Sequence, residues 1–287
     1  MANVLTKNDD YQHWRDNKLA NVFTQLEDCI VEIKNPFELK NSEKNKITSL
    51  CRQGNFAIFH ISKQNDYADA IVSINTQFGL VDFDQHLYVQ DKGLAHITQI
   101  GNKNQSDFIP YTDKAIGWHT DGYYNSTEQR IRAFSLFCVS PASEGGSNEW
   151  IDPQMIYLLL RENNPDVAKA LTHPKTMTIP EHRVNNIVRR AKSTGPIFFI
   201  DESSNALYVR YTQRKKNIEF LDSIEIKQAV EHLDDLLNKK TDYHFQHLMQ
   251  AGQGLLCNNV LHKRNSFIDD KDNPRLLLRG RYFNRIE

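Results

Sequence analysis

The segment NPRLLLRGRYF near the end of the chain limits what this sequence can fold into more than any other stretch. It reads as a β-strand, and side chains two apart on a strand share a face. Arg275, Leu277, Arg279 and Arg281 therefore line one side of it. Burying three guanidinium groups on a single face is costly unless anions pair with them. Two arrangements meet that demand. One is a solvated edge strand, which arginine suits well. The other is an inward face that binds a dicarboxylate, since the guanidinium fork pairs with both carboxylate oxygens.

Composition narrows the setting. The chain has 287 residues, 39% apolar and 25% charged, in the range of an ordinary soluble globular protein long enough to bury a large core. Its 35 basic and 36 acidic side chains nearly cancel, so no net field draws it to nucleic acid or to an anionic membrane. Cysteines stand at 29, 51, 138 and 257 without a CxxC pair, which argues against a disulfide framework and a cysteine-rich zinc site and suits a reducing cytosol. The N-terminus, MANVLTKNDDYQHW, lacks the apolar core of a secretory signal. Apolar runs such as PIFFI fall far short of the ~20 residues that span a bilayer. A cytoplasmic location follows as an expectation.

Periodicity predicts the order of elements. Residues 1–20 are polar, and poor order is expected there. CIVEI, the helical SEKNKITSLCRQ, the strand NFAIFHIS and the helical NDYADAIVSINTQFG give strand, helix, strand, helix. IRAFSLFCVS reads as a strand that stops at Pro141, and EGGSN as a turn. DPQMIYLLLRE has an aspartate cap with proline at the first helical position. TGPIFFID and ALYVRYT, parted by ESSN, predict a hairpin. Asp222 opens DSIE, a capping-box-like start before Ile226, Val230, Leu233 and Leu237. GQGLLCNN and RLLLRGRYF close the chain as strands, and no Pro/Gly/Ser-rich linker divides residues 21–287. A single α+β domain over 21–287 is expected, with a sheet core and helices outside it.

Trp118-His119-Thr120-Asp121 carries the chemistry. On an extended chain His119 and Asp121 point the same way and can aim an imidazole and a carboxylate at one point. With one more histidine the set becomes a 2-His-1-carboxylate facial triad, which suits iron(II) and leaves positions open for substrate and dioxygen. HxD alone is weak, and with 11 histidines a third candidate is always at hand; His60, His96, His173, His244 and His247 all read equally well as ordinary residues. His262 stands out. It follows an apolar strand, precedes a polar loop, and Arg275 comes 13 residues later.

These segments resemble the taurine dioxygenase / clavaminate synthase-like (TauD/TfdA) family of Fe(II)/2-oxoglutarate oxygenases. WHTDGYY is similar to its HxD motif, PASEGGSNEWID to the P-x-x-GG-D-T stretch, GQGLLCNNVLHKRNSF to G-D-…-D-N-…-H-x-R-x-x-F, and NPRLLLRGRYF to the closing arginine strand. The likeness runs from about residue 25 to the end. It implies a double-stranded β-helix (jelly roll) flanked by helices. It implies iron held by His119, Asp121 and His262, with 2-oxoglutarate and dioxygen as cosubstrates. Arg275 would pair with the distal carboxylate of 2-oxoglutarate, and Asn148 stands where relatives have a threonine that holds this cosubstrate. Arg279, one repeat further along the strand, would face the substrate or the other end of 2-oxoglutarate. Asn258, where aspartate is frequent, matters to local structure. Asp121 argues for hydroxylation or desaturation, because halogenating relatives lack that carboxylate.

For the substrate, Tyr123, Tyr124 and Arg210 are the candidate contacts, with plain strand packing as the alternative for the tyrosines. Arg214-Lys215-Lys216 reads as a solvated loop. Arginines facing the cavity would suit a small anionic or zwitterionic molecule, such as an amino acid or sulfonate. A small-molecule substrate and a second copy of the chain in a homo-oligomer are the candidate partners, and neither nucleic acid nor a membrane is expected. Two rivals remain: a zinc-dependent hydrolase built on HxD…H, which has no need of the arginines after His262, and a metal-free jelly-roll binding protein, against which the intact triad speaks.

Overall fold

The computed structural model describes residues 4–5, 7–85, 89–99 and 109–287. Two sheets face each other. The larger has six strands in the order Ile30–Ile33, Phe56–Ile61, Gln253–Cys257, Ala133–Ser140, Leu276–Tyr282 and Leu94–Ile97. The smaller has four, in the order His244–His247, Asn148–Ile151, Leu261–Arg264 and Ile116–His119. Pairing is antiparallel except for the parallel pair at the edge, Ile30–Ile33 with Phe56–Ile61. Alternation along each strand decides what fills the space between. Phe134, Leu255, Cys257 and Leu277 from the larger sheet meet Trp150 and Phe245 from the smaller.

The outward faces are covered by helices. On the larger sheet, Ile47 and Leu50 of helix Asn41–Gly54 and Ile71 and Ile74 of helix Tyr67–Gln77 pack on Phe59, Phe137, Leu256 and Leu278. On the smaller, Pro153–Asn163, Pro165–Ala170 and Ile224–Asn238 bury Trp118, Ile151 and Leu261. A jelly roll between helical layers is the expected α+β architecture. No helix among the described residues is long and apolar enough to cross a membrane.

Among the helices, local expectations meet the structure with two differences. The Asp152 carboxylate caps its helix by accepting from Gln154 N at 2.9 Å, as its sequence predicts. The cap of Ile224–Asn238, however, is Ser223, whose hydroxyl accepts from Ile226 N, while Asp222 pairs with Lys227. Residues 8–20 form a helix where poor order was expected. Tyr11, Trp14 and Lys18 recur at helical spacing and are drawn onto the core. Tyr11 donates to Glu162 at 2.7 Å, Trp14 meets Tyr157 edge-on, and the Lys18 ammonium is buried against Asp152. A polar composition conceals such a face, because each anchor buries its own partner.

Candidate metal and cosubstrate site

The site lies between the sheets, on inner faces that the strand registers bring together. His262 and His119 stand directly opposite each other on neighbouring antiparallel strands, with ring centroids 4.2 Å apart. The strand Ile116–His119 ends at the histidine, so Asp121 belongs to a turn and not to the extended run expected from the sequence. Its direction is fixed from outside. Asn259 Oδ1 accepts from Asp121 N at 2.8 Å, and Asn259 Nδ2 donates to Asp121 O at 2.9 Å. Gly122 follows at φ +65°, a left-handed conformation that glycine adopts without strain, with Ile131 pressed against it.

One ligand atom from each of His119, Asp121 and His262 lies within 4.8 Å of the others. Each imidazole is held at its inner nitrogen. His119 Nδ1 is 2.9 Å from Gly117 O, and His262 Nδ1 is 2.9 Å from Val260 O. A carbonyl only accepts, so Nδ1 carries the proton and Nε2 offers its lone pair. Burial, aided by the neighbouring His262, lowers the His119 pKa to about 3; burial likewise lowers that of His262. Both rings are therefore neutral at physiological pH. Burial alone would raise Asp121, but Arg279 and Arg281 outweigh it and hold the carboxylate well below its usual range. Asp121 Oδ2 is buried and has no hydrogen-bond partner among the described residues. Two neutral imidazoles and an ionised carboxylate with an open oxygen are a donor set that fits a divalent iron.

The inner face of strand Leu276–Tyr282 supplies the positive charge. Arg275, just before it, is 3% exposed and rests on the Phe267 ring at 4.9 Å. No acceptor for its guanidinium occurs among the described residues, and burial lowers its pKa only to about 10, so it stays charged. Asn148, on the inner face beside Trp150, is buried with its side-chain amide unbonded among those residues. Arg279 Nη1 lies 3.6 Å from Asp121 Oδ1, and its Nε is buried without a partner among the described residues.

The other candidates sit nearby in different roles. Tyr124 Oη accepts from Arg281 at 3.0 Å, and Arg281 also pairs with Asp84. Tyr123 meets Tyr124 edge-on at 5.1 Å and lines an adjoining cavity. Arg210 lines that cavity too, but it is not the free donor that a substrate contact calls for. Its Nε donates to Tyr123 O, Nη1 to Met177 O and Nη2 to Ser193 O. It braces the wall and contributes charge. Asn258 ties the chain end to the core through Ile286, a structural part as expected. Sequence reasoning gave no role to Asn259, which clamps the Asp121 turn, or to Arg264, which donates to carbonyls at 109, 110, 112 and 114 ahead of His119. Their only signal was position, beside Asn258 and within H-x-R.

Comparisons with known proteins identify the family. Residues 17–281 match the model for the taurine catabolism dioxygenase TauD, TfdA family. A uridine-5'-phosphate dioxygenase from Streptomyces sp is 28% identical over 220 residues, covering 75% of this chain and 78% of that protein. Among solved structures, asparagine oxygenase with Fe(II), hydroxyasparagine and succinate superposes with a TM-score of 0.63 at 13% identity, over 85% of this chain and 80% of that one. PvcB, an Fe, α-ketoglutarate-dependent oxygenase, gives 0.61 at 15% identity, over 89% and 85%. The chain belongs to the TauD/TfdA family and is an Fe(II)- and 2-oxoglutarate-dependent dioxygenase that uses dioxygen.

Proposed function

We propose that His119, Asp121 and His262 hold the iron, that Arg275 and Asn148 seat 2-oxoglutarate, and that the enzyme hydroxylates a small anionic substrate beside Arg279. The observation that carries the site assignment is the convergence of three side chains that could ligate a metal, within 4.8 Å of one another, near a buried guanidinium with no ion-pair partner among the described residues. Bound iron and 2-oxoglutarate supply the oxidising power, with 2-oxoglutarate leaving as succinate and carbon dioxide.

The chain's own contribution is placement and charge. Carbonyls at 117 and 260 keep both imidazoles in the tautomer that ligates through Nε2. Asn259 fixes the turn that carries Asp121. Arg275 presents a pre-oriented fork to a carboxylate in a site from which water is largely excluded, where charge-assisted bonds are strong. Arg279 keeps Asp121 ionised and leaves donors toward the substrate. An anionic substrate accords with this excess of positive charge, and the relative named for uridine 5'-phosphate makes a nucleoside monophosphate the first compound to try. Tyr123, Tyr124 and Arg210 would wall the substrate space.

Anaerobic addition of Fe(II) and then 2-oxoglutarate tests the site. A metal-to-ligand charge-transfer band is expected in the wild type. It should vanish in His262→Ala at any 2-oxoglutarate concentration, and in Arg275→Ala it should return only at much higher 2-oxoglutarate. A band of full strength in His262→Ala would end the assignment. Mass spectrometry of the product, showing a gain of one oxygen, tests hydroxylation.

A further inference from the structure

A cavity of about 460 Å³ opens on the far side of the turn that follows Asp121. Gly122 and Tyr123 form one wall, and the strands Ser193–Gly195, Phe198–Asp201 and Ala206–Val209 form the others. Three guanidiniums line it: Arg130, Arg132 and Arg210. Within the walls they oppose a single carboxylate, Asp201, since Glu202 stands at the exposed rim.

The three arginines differ in what they have left to give. Arg132 is spent: Nε and Nη2 donate to Asp201 at 2.9 and 3.1 Å, and Nη1 to Phe283 O at 3.1 Å. Arg210 is spent on carbonyls, as described. Arg130 uses only Nη1, on Asp201. Its Nε and Nη2 have no acceptor among the described residues, and the side chain is 16% exposed. Its guanidinium lies 4.3 Å from the centre of the Phe199 ring and 5.3 Å from that of Tyr208, which holds the group in place without using its N–H donors. Asp201 cannot turn away to neutralise a further cation, because Ser203 and Ser204 also donate to it.

The cavity is tied to the metal turn. Tyr208, in its wall, donates to Ile131 O at 2.6 Å and accepts from Asn259 Nδ2 at 2.7 Å. Asn259 is the residue that clamps Asp121. The cavity begins one residue past Asp121, at Gly122. A surplus of fixed positive charge, a stacked arginine with two open donors and a volume within the usual range for ligand pockets together describe a recess for the oxyanion end of a ring-sized molecule.

We propose that this cavity is the substrate's distal anion site, in which Arg130 grips a phosphoryl or similar oxyanion while the reacting carbon lies at the iron. The proposal rests on the anionic-substrate reading above and assigns the place where the charge sits.

Isothermal titration of uridine 5'-phosphate, uridine and inorganic phosphate into the Fe(II)/2-oxoglutarate form, kept anaerobic, tests it. The wild type should bind the nucleotide at least tenfold more tightly than uridine, with inorganic phosphate competing. Arg130→Gln should lose that preference. Thr127→Glu is the second variant, because it puts a carboxylate on an exposed lining position without touching the Asp201 cluster; it should weaken the nucleotide about tenfold and leave uridine unchanged. If both variants, folded as judged by their melting curves, keep the wild-type preference, the anion binds elsewhere and this assignment falls while the anionic-substrate reading stands. If the wild type binds neither the nucleotide nor phosphate, or prefers uridine, both fall.

Discussion

Two groups of arginines lie on either side of the Asp121 turn, and they are built in opposite ways. Around Asp201, two guanidiniums share a carboxylate that is itself capped by two serines, so each of these cations has an anionic partner. On the Leu276–Tyr282 side, Arg275 has no acceptor among the described residues and Arg279 only a 3.6 Å contact. A buried charge left unpaired costs stability, so a fold that keeps one has been shaped by something outside its own packing. The paired group holds the structure, with Arg130 as its one member in reserve. The unpaired group keeps donors open among the described residues. Arginine content alone would treat the two alike.

The contrast can be broken from either end. The largest effect is expected at the paired group: Asp201→Asn leaves buried guanidiniums without their charge partner and should cost about 3 kcal/mol of stability in chemical denaturation. Iron and 2-oxoglutarate binding by the folded fraction should change little. The unpaired group should behave in reverse. Arg275→Met replaces a buried unpaired charge by an apolar side chain, which is neutral or stabilising to the fold. It should nonetheless weaken 2-oxoglutarate about a hundredfold, roughly 2.7 kcal/mol, in the anaerobic titration. A loss of stability matching that of Asp201→Asn would erase the distinction.

Asn259→Ala probes the seam between the groups. It removes the clamp on the Asp121 turn together with the bond to Tyr208. Iron affinity should drop about tenfold, as it does when the partner of a metal ligand is removed, while Arg275 and 2-oxoglutarate affinity to the loaded enzyme are less affected. Unchanged iron affinity would mean that the turn holds its shape unaided.

The smallest effect is a pH dependence. Burial alone would raise the Asp201 pKa, but hydrogen bonds from Arg132, Ser203 and Ser204 hold it below the ordinary carboxylate range. The folded pKa is thus lower than the unfolded one of about 3.9. In that case the unfolded state binds more protons, so the stabilisation is complete at neutral pH and is lost as pH falls through about 4 and below. Wild-type stability should fall more steeply with acid there than that of Asp201→Asn. Parallel pH profiles would show that this carboxylate does not titrate on unfolding.

Much of the fold is legible in the chain because it depends on local pattern. Aromatic and β-branched runs mark Phe56–Ile61, an apolar run between arginines marks Leu276–Tyr282, and Asp152-Pro153 announces a helix. The three ligand candidates are legible because their motifs occur in a fixed order. Helix Asn8–Ala20 was hidden because its anchors are polar or amphipathic and each finds a separate partner. Arg264, Arg275 and Arg281 lie close together in the sequence and are chemically identical, yet the first serves remote carbonyls, the second has an open fork, and the third is paired with Asp84 and Tyr124. The sequence by itself determined which side chains share a strand face, since a strand's alternation is a property of the backbone. Only the tertiary structure decided which of those charges are neutralised, because their acceptors come from segments tens to hundreds of residues away and exist as acceptors only once the sheets have closed.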